Sequence, residues 1–437
     1  MKCLILAAGK GSRLRQQAES KPLLPLLGVP LIVRTIRTAC KAGADDFVVV
    51  TGHAGKRVDA ELERLSNNLH CPIKTVQNTE WETTENGHSI LAAETLLQDE
   101  NFLLLMADHL FEPQIIRKLI TEPVPDNGLS LAVDQQFNNP LVDLEDVTKV
   151  RCAEGWIQVI GKNLEVYDGY DTGIFLCTPA LFDAIRTASK KGDTRLSAAV
   201  LELAQERRAK AVDVSGCFWI DVDDKAALER AEQALLHRLR GKVHDGPVSR
   251  WLNRPLSIRI SRYLAKTGVT PNQISFFSFL LSVIGALLFS LGSYPSLLLG
   301  GLLAQLASII DGCDGEIARL KYQSSAYGGW FDAVLDRYAD AFLLFGMTWY
   351  TWLNTASALV FVIGFFALTG SFMVSYTADK YDGLMRSRGG SRFRIGRDVR
   401  VFLIFLGALF DQVLPVLVFI AVVMNMETLR RLWVCRK

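Results

Sequence analysis

Hydrophobic and polar positions follow two different patterns along the chain. Up to about residue 240, short apolar runs alternate with stretches in which apolar residues recur at helical spacing. The apolar runs that are bounded by turn residues predict strands at 2–8, 46–51, 73–77, 102–106, 129–133 and 173–177. Strands that alternate with helices are typical of an α/β fold, and we therefore expect a mostly parallel sheet in this half.

From about residue 273 onward, long apolar runs are separated only by short polar breaks. Because about 20 residues are needed to cross a bilayer, these runs predict an all-α membrane domain of six transmembrane helices. The six spans fall at 273–293, 294–319, 328–350, 355–379, 398–412 and 413–431, and the fifth is short. We therefore expect a cytosolic domain over 1–240, a hinge and juxtamembrane helix over 241–272, and a membrane domain over 273–437.

Arginines indicate which side of the bilayer each segment faces. Segment 248–264 mixes four arginines with Trp251 and Tyr263, which favours a helix on the cytoplasmic membrane surface; a soluble linker helix is the alternative. Further arginines crowd the loop after the fourth span and the end of the chain: Arg386, Arg388, Arg392, Arg394, Arg397, Arg400, Arg430, Arg431 and Arg436. Six spans and the positive-inside rule together predict a multi-pass protein of the cell membrane, with the first domain and the C-terminus in the cytosol.

Composition narrows the classes of function. The chain of 437 residues is 49% hydrophobic and carries a formal charge of +2, which argues against nucleic acid as a partner. Its eight cysteines include no C-x-x-C pair, which indicates reduced thiols rather than a disulfide framework or a zinc site. Residues 2–8 run straight into a glycine-rich loop, so we expect no signal peptide.

Four aspartates lie inside the most hydrophobic part of the chain. Asp311 and Asp314 are three residues apart, and Asp332 and Asp336 are four apart, so each pair shares one face of a helix. A carboxylate at membrane depth costs about 2.5–3.5 kcal/mol, so four of them need cations or a polar cavity. Two helices that each offer a pair of acids would form a cage for divalent metal ions. The alternative is that the aspartates lie at helix ends and reach the membrane interface.

The same stretch resembles a known family, the CDP-alcohol phosphotransferases, which carry the pattern D-x2-D-G-x2-A-R-x8-G-x3-D-x3-D. This chain fills the pattern with Asp311, Asp314, Gly315, Ala318, Arg319, Gly328, Asp332 and Asp336. The resemblance implies a membrane enzyme that displaces CMP from a CDP-alcohol with a second alcohol. It also implies that Asp336 accepts the proton of the attacking hydroxyl, that all four aspartates hold metal ions, and that the other four positions contact the CDP-alcohol. Arg319 is either a diphosphate contact or a structural residue.

Two arginines enter the fifth predicted span from the side on which the four aspartates lie. Guanidinium groups bind phosphate through paired hydrogen bonds, so Arg397 and Arg400 could bind a phosphate on the acceptor alcohol. The alternative is that these arginines serve only as a topology signal.

A second candidate site follows the first predicted strand. Gly9, Lys10 and Gly11 form a glycine-rich turn, whose exposed backbone N–H groups can bind phosphate. The side chains of Lys10, Arg13 and Lys21 would add positive charge for a triphosphate. Glycine turns after strands are common, so the glycines alone are weak evidence for a nucleotide site.

The longer run LILAAGKGSRL, followed by SKPLLPLLGVPLI, resembles the opening of the sugar-phosphate and alcohol-phosphate nucleotidyltransferases. Their fold is a Rossmann-like α/β sheet. The resemblance implies that Gly87 and Ser89, just before a helix predicted at 90–97, contact the cytosine base. It further implies that segment 170–173, with Lys162, binds the phosphate of the alcohol; a solvated surface lysine is the alternative for Lys162.

Asp108 follows the hydrophobic run 102–106. Ligands bind at the carboxyl ends of strands in a doubly wound sheet, so Asp108 is well placed to hold Mg²⁺, and capping of the next helix is the alternative. The resemblance to the nucleotidyltransferases adds a second metal carboxylate in a late W-x-D element. Asp221 matches that element by spacing, and Asp223 is the close competitor.

The predicted first reaction needs no covalent protein nucleophile. An oxygen of a phosphate monoester attacks the α-phosphorus of a nucleoside triphosphate, and pyrophosphate leaves. Mg²⁺, with Mn²⁺ as an alternative, would neutralise the phosphates together with Arg13 and Lys21, and positioning supplies the rest of the catalysis.

The two halves together resemble the bifunctional inositol-1-phosphate cytidylyltransferase and di-myo-inositol phosphate phosphate synthase family. The resemblance implies that CTP and inositol-1-phosphate give CDP-inositol, which then condenses with a second inositol-1-phosphate and releases CMP. The implied partners are CTP, inositol-1-phosphate, the CDP-alcohol and the lipid bilayer, with a homodimer formed through the membrane domain.

Several alternatives remain open at this point. The osmolyte pathway of that family belongs to hyperthermophiles, whereas this chain is only 22% charged and contains several Gln and Asn pairs. A different acceptor, including a lipid alcohol, is therefore an alternative. The first domain could also be inactive, or the membrane half could merely anchor a soluble nucleotidyltransferase.

Overall fold

The computed structural model describes residues 1–14, 19–240, 246–388 and 396–436. Residues 241–245 of the predicted hinge lie outside the described residues, as do Arg392, Arg394 and the side chains of Arg386 and Arg388. The chain divides into two compact units, Met1–Ala234 and Leu235–Lys437. The domain boundaries expected from the sequence, at 240 and 272, stay predictions.

Strands of the first unit form one large sheet and two short ribbons. Their bounds are Lys2–Ala7 (β1), Pro25–Leu26 (β2), Val29–Pro30 (β3), Asp46–Thr51 (β4), Ile73–Gln77 (β5), Phe102–Met106 (β6), His109–Phe111 (β7), Leu129–Asp134 (β8), Lys149–Ala153 (β9), Trp156–Gly161 (β10), Gly169–Cys177 (β11), Ala209–Asp213 (β12) and Trp219–Asp221 (β13). Within the described residues the large sheet has nine strands in the order β5-β4-β1-β6-β11-β8-β12-β10-β9.

The sheet is mixed, so the prediction of a mostly parallel sheet is wrong. β5, β4, β1 and β6 run parallel, as do β8 and β12. β11 runs antiparallel between β6 and β8, and β9 and β10 form an antiparallel hairpin. The apolar pattern of a buried strand is the same in both directions, so the sequence pattern could not reveal this reversal.

Helices cover the sheet of the first unit. Their bounds are Leu31–Ala42 (α1), Gly55–Leu69 (α2), Asn86–Ala92 (α3), Glu94–Leu97 (α4), Pro113–Thr121 (α5), Ala180–Lys190 (α6), Leu196–Gln205 (α7) and Lys225–His237 (α8). The helix predicted at 90–97 therefore begins earlier, at Asn86, and is interrupted at Ala93. Leu4, Phe102 and Phe175 are almost fully buried in the core between sheet and helices.

All regular secondary structure in the described residues of the second unit is helical. Its helices are Arg254–Leu264 (α9), Pro271–Phe289 (α10), Tyr294–Leu320 (α11), Ala326–Thr355 (α12), Leu359–Tyr376 (α13), Ala378–Arg388 (α14), Arg397–Leu409 (α15) and Val413–Arg436 (α16), and a π-helical turn at Ser249–Asn253 leads into α9. α9 buries Ser257 and Ser261 against the unit, while Trp251 and Tyr263 are exposed.

Four helices of the described residues are long and apolar enough to cross a membrane: α10, α11, α13 and α16. Helices of this length and composition are typical of membrane proteins. The six predicted spans are not confirmed. The predicted third span corresponds to α12, which carries Asp332, Asp336 and Asp340, and the fifth corresponds to α15, which has only 13 residues.

Small residues let α10 approach its neighbours closely. A Cβ atom on Gly285 would lie 2.9 Å from the carbonyl oxygen of Gly300 on α11, and one on Gly346 of α12 would lie 2.7 Å from that of Ala286. Close helix packing of this kind is typical of membrane proteins. There, small residues let helix backbones approach each other, and van der Waals contacts hold the helices together. It brings the acid-bearing helices α11 and α12 together around α10.

Candidate active sites

Two strand ends and one ribbon assemble the acidic group of the first unit. Asp108 lies just beyond β6, the neighbour of β1, and the glycine turn lies just beyond β1. Asp221 ends β13, which pairs with β7 so that Asp221 stands opposite His109. The structure places Asp108 just after a strand, as the sequence indicated. Asp221 was expected only from the spacing of the W-x-D element.

Lys21 lies at the centre of these acids, and its side chain is only 9% exposed. Its Nζ is 2.5 Å from Asp108 Oδ2 and 3.9 Å from Asp221 Oδ1, and it also pairs with Asp223. Burial alone would lower the pKa of Lys21, but the three carboxylates outweigh burial and raise it above its usual value. Burial would likewise raise the pKa of Asp108 and Asp223, yet Lys21 holds both below their usual values. The ammonium group therefore stays charged and orders the acids.

His109 belongs to this site, although the sequence analysis did not single it out. Its Nδ1 is 2.8 Å from the carbonyl oxygen of Thr172, and its Nε2 is 3.3 Å from Asp221 Oδ2. Burial lowers the pKa of His109, but the nearby Asp221 carboxylate outweighs burial and raises it to about 10. Its position directly after Asp108 at a strand end was the signal that could have identified it.

These residues fit a divalent metal ion. Asp108, His109 and Asp221 each offer one ligand atom, and the three atoms lie within 4.8 Å of one another. Asp221 Oδ1 is buried and has no hydrogen-bond partner among the described residues. Carboxylate oxygens are suitable ligands for Mg²⁺ and Mn²⁺, whereas His109 would have to lose a proton to bind a metal ion, because its pKa is raised to about 10 without one.

A cavity of about 380 Å³ opens beside the acids. Arg13 and Lys162 both line it, and both pair with Asp146: Arg13 Nη1 and Lys162 Nζ each lie 2.5 Å from an oxygen of this carboxylate. The structure thus brings together two cations that are far apart in the sequence. Asp146 lies in a loop without a sequence signal, and sequence reasoning missed it.

The predicted glycine turn has the geometry of a tight loop. Gly11 has a φ of +62°, and a Cβ atom there would lie 2.5 Å from the Cβ atom of Lys21, so the turn holds Lys21 in place. Gly9 faces open space. Lys10 lies 3.7 Å from Glu82, with its Nζ 5.8 Å from the ring centre of Trp81.

The residues expected to contact the base lie in the first turns of α3. The N–H of Gly87 donates to the carbonyl oxygen of Thr194 at 3.0 Å, and the hydroxyl of Ser89 accepts from Asn78 at the same distance. Of this segment, Glu85 and Asn86 line the cavity in the described part of the chain. The cytosine contacts of Gly87 and Ser89 stay predictions.

Segment 170–173 lies along the same cavity, which Asp171 and Gly173 line. Asp171 accepts a 2.7 Å hydrogen bond from the N–H of Gly173. Burial raises the pKa of Asp171 to about 6, so this carboxyl group titrates close to neutral pH.

The acidic group of the second unit is assembled by three helices. α11 carries Asp311 and Asp314, and α12 carries Asp332 and Asp336. α10 contributes two serines that the sequence analysis did not identify. The Oγ of Ser275 donates to Asp314 Oδ2 at 2.6 Å, and that of Ser278 donates to Asp311 Oδ1 at 3.0 Å.

This group also fits a divalent metal ion. Asp311, Asp332 and Asp336 each offer one oxygen, and the three oxygens lie within 4.8 Å of one another. Asp332 Oδ1 is buried without a hydrogen-bond partner among the described residues, which is costly unless a cation balances it. Asp314 lies on the same face of α11, but its carboxylate is bound to Ser275 and to the N–H of Gly315.

The two predicted phosphate-binding arginines extend from α15 towards the acids. Arg397 Nη1 lies 2.6 Å from Asp336 Oδ1 and 3.0 Å from Asp311 Oδ2. Arg397 Nε and Arg400 Nη2 both reach Asp340, at 3.2 and 2.7 Å. Asp340 lies outside the eight-position pattern, and sequence reasoning missed it, although it follows Asp336 at helical spacing.

The remaining pattern residues lie on the same two helices. Gly315, Ala318 and Arg319 follow Asp314 on α11, and Gly328 lies in the first turn of α12. The N–H of Gly328 donates to the hydroxyl of Ser325 at 3.0 Å and so helps to begin α12.

A buried ion pair fixes α9 against the acid-bearing helix α11. Arg254 Nη1 lies 2.6 Å from Glu316 Oε1, and the hydroxyl of Ser257 donates to the same oxygen at 2.6 Å. Arg254 also donates to the carbonyl oxygen of Gly312, which lies between Asp311 and Asp314. Glu316 is fully buried, so α9 is tied to the backbone that carries the acids.

Two family models match the two units separately. Residues 3–210 match the MobA-like NTP transferase domain, and residues 268–433 match the CDP-alcohol phosphatidyltransferase family. A solved structure, the inositol-1-phosphate CTP transferase from T. maritima, is 24% identical, with a TM-score of 0.48, and covers 53% of this chain and 93% of that one.

Relatives match almost the whole chain. The bifunctional IPC transferase and DIPP synthase of Rubrobacter xylanophilus is 38% identical over 98% of this chain and 95% of its own length. The protein of the same name from Aquifex aeolicus is 33% identical over 99% of this chain and 98% of its own length. An archaetidylinositol phosphate synthase from Pyrococcus horikoshii is 28% identical over 46% of this chain and 97% of its own length.

Proposed function

Because the chain belongs to the family of bifunctional IPC transferases and DIPP synthases, we propose that its two units catalyse consecutive transferase reactions. The first unit joins CTP and inositol-1-phosphate to give CDP-inositol and pyrophosphate. The second unit transfers phosphoinositol from CDP-inositol to a hydroxyl group of another inositol-1-phosphate and releases CMP. The observation that carries this proposal is the presence of one acidic group in each of the two matched domains.

In the first reaction, the phosphate of inositol-1-phosphate attacks the α-phosphorus of CTP. Asp108 and Asp221, with Asp223 as the competitor, would hold Mg²⁺ or Mn²⁺, which would neutralise charge on the triphosphate. Lys21 keeps these carboxylates in place and adds its own charge to the phosphates.

Other residues of the first unit bind the two substrates. The backbone of Gly9 and Gly11, with Lys10, binds the phosphates of CTP, and Gly87 and Ser89 read the base. Arg13 and Lys162, gathered by Asp146 at the cavity, bind the phosphate of the inositol substrate.

In the second reaction, Asp336 accepts the proton of the attacking inositol hydroxyl as that oxygen forms its bond to phosphorus. Asp311, Asp314, Asp332 and Asp336 would hold the metal ions, which would stabilise CMP as the leaving group. Arg397 and Arg400 bind the phosphate of the acceptor. Gly315, Ala318, Arg319 and Gly328 contact the CDP-alcohol.

We also propose a six-span topology, with the first unit and the C-terminus in the cytosol and a homodimer formed through the membrane domain. The packing of α12 and α15 supports the six spans. Leu343 and Met347 of α12 and Val401 and Ile404 of α15 are buried in the same apolar core as residues of α10, α11, α13 and α16.

A lipid alcohol is the second candidate acceptor. The similarity to a relative named archaetidylinositol phosphate synthase favours it, because that name describes a product with a lipid part.

Phosphorus NMR of the purified full chain in detergent, with Mg²⁺, CTP and inositol-1-phosphate, tests the proposal. We expect CDP-inositol to appear first and then give way to CMP and a new phosphodiester. The Asp332→Asn variant should accumulate CDP-inositol, and the Asp108→Asn variant should form product only from added CDP-inositol. If CDP-inositol persists with the unaltered chain, the acceptor is wrong and lipid alcohols are tested; if no pyrophosphate forms, the first reaction is wrong.

A further inference from the structure

We propose that Asp340 is the positioning residue that aims Arg397 and Arg400 at the phosphate of the acceptor. The inference rests on the proposed function, in which these arginines bind that phosphate. It adds a residue that lies outside the eight-position pattern.

Asp340 continues the acidic face of α12. Asp332, Asp336 and Asp340 follow one another at intervals of four residues, so they lie on the same side of the helix, one turn apart. Asp340 is 4% exposed, and a carboxylate buried so deeply needs charged partners.

Both oxygens of Asp340 are used by arginines. Oδ1 accepts from Arg397 Nε at 3.2 Å, and Oδ2 accepts from Arg400 Nη2 at 2.7 Å. Among the described residues, the acids of this unit that could together hold a metal ion are Asp311, Asp332 and Asp336. Asp340 is not part of this group. Asp340 is therefore engaged with the arginines of the site and not with the candidate metal position.

The contact with Asp340 fixes the direction of Arg397. A guanidinium group is planar, so holding its Nε determines where the other nitrogens point. Arg397 is held by Asp340 at Nε, and its Nη1 reaches the pair Asp311 and Asp336, where the reacting groups would meet. Without Asp340, the carboxylates of the metal group would be the remaining acidic partners of Arg397 in the described part of the chain.

Arg400 has donor capacity left over. It is 3% exposed, and its Nη2 is bound to Asp340 and to the hydroxyl of Ser375 at 3.1 Å. Its Nε is buried and has no hydrogen-bond partner among the described residues. A buried N–H without a partner is costly, and a phosphate oxygen is a strong acceptor for it. Asp340 thus holds the guanidinium groups of Arg397 and Arg400 on one carboxylate. Their remaining N–H donors can then bind the phosphate dianion of the acceptor.

The chain offers a matched control. Glu427 is also a buried carboxylate, 7% exposed, and it also binds two arginines: Arg430 at 2.7 Å and Arg431 at 2.9 Å. These residues lie on α16 and belong to neither acidic group. Glu427→Gln therefore reproduces the loss of a buried two-arginine carboxylate without changing the site.

The test measures the second reaction alone, with the full chain, added CDP-inositol and inositol-1-phosphate, and no CTP. For Asp340→Asn we expect the KM for inositol-1-phosphate to rise by about 10-fold or more, because losing a charge-assisted hydrogen bond has an effect of this order. The KM for CDP-inositol should change by less than about 2-fold, since the Asp340 carboxylate accepts its hydrogen bonds from Arg397 and Arg400. Glu427→Gln should leave both KM values as they are.

Other results would overturn the inference. If Asp340→Asn raises both KM values together, or behaves as Glu427→Gln does, Asp340 is structural. Arg397→Gln and Arg400→Gln separate this from the proposed function: if neither raises the KM for the acceptor, the proposed acceptor site itself is wrong. If they do and Asp340→Asn does not, only the inference about Asp340 fails.

A second variant covers the case in which Asp340→Asn does not fold. Asp340→Glu keeps the charge but displaces the carboxylate, and we expect it to raise the KM for the acceptor selectively. An unchanged acceptor KM in folded Asp340→Glu would overturn the inference.

Discussion

At the scale of single residues, both sites combine partly buried acids with a basic side chain that lies among them. Lys21 contacts three carboxylates of the first unit, and Arg397 contacts three of the second. Each cation offsets the repulsion that closely spaced acids would otherwise create. The cations are therefore as important to the sites as the acids that a metal ion would bind.

Lys21→Met tests this for the first unit. We expect the rate of CDP-inositol formation to fall by about 100-fold or more, because a preorganised charge at the phosphates is lost. The second reaction, measured with added CDP-inositol, should keep its rate. Lys56→Met, which removes an exposed lysine of α2, is the matched control. A variant of Lys21 that retained full cytidylyltransferase activity would contradict the role assigned to it.

The raised pKa of Asp171 should make the free energy of unfolding depend on pH. Burial raises its pKa from 3.8 to about 6, so between these values the folded protein binds more protons than the unfolded chain. The free energy of unfolding therefore falls as the pH rises through this window. Asp171→Asn should remove that fall and stabilise the protein by up to about 3 kcal/mol near neutral pH, with no gain below about pH 4.

Thermal unfolding of the full chain without added metal, at acidic and at neutral pH, measures this effect. The exposed Asp183 of α6 provides the control variant Asp183→Asn, which should change neither midpoint. An equal gain from Asp171→Asn at both pH values would show that its raised pKa is not the cause.

At the scale of elements, α9 is attached to α11 by a buried ion pair. Glu316 is fully buried, and Arg254 is 8% exposed. Removing one partner of a buried ion pair is costly, whereas removing both partners together costs less. The attachment matters for function because Arg254 also contacts the backbone between Asp311 and Asp314.

Glu316→Gln should therefore destabilise the second unit by about 3–5 kcal/mol and slow the second reaction, while CDP-inositol formation is retained. Arg254→Met combined with Glu316→Leu should be more stable than Glu316→Gln alone. Arg259→Met, on the exposed face of α9, is the control. Detergent-solubilised thermal unfolding and both rates are the measurements. A double variant that is less stable than Glu316→Gln would contradict the expected cost of removing only one partner.

At the scale of the whole molecule, one chain contains a unit for making a CDP-alcohol and a unit for using it. If CDP-inositol is a free intermediate, the two activities need not come from the same chain. A mixture of Asp108→Asn and Asp332→Asn proteins should then form the phosphodiester, after a lag in which CDP-inositol accumulates. Each variant alone, supplied with CTP and inositol-1-phosphate, is the control. No product from the mixture would mean that the intermediate passes within one chain.

The local pattern of the sequence was sufficient for much of the architecture. It determined the positions of six strands, the glycine turn, the helical second half and the two acid pairs at 311–314 and 332–336, because apolar periodicity and fixed spacing depend only on neighbouring residues. Bounds at 46–51, 73–77 and 102–106 agree with β4, β5 and β6. It also determined the family, since the two motifs occur in one chain.

Only the tertiary structure decided the contacts between distant residues. The reversed direction of β11, the place of Lys21 among three acids, and the pairing of Arg13 and Lys162 through Asp146 depend on which strands and loops pack together. The same holds for Ser275, Ser278 and Asp340, which reach their partners only because α10 packs against α11 and α12 meets α15. A sequence pattern records spacing along the chain, whereas these contacts join positions that are up to about 200 residues apart, such as Lys21 and Asp223.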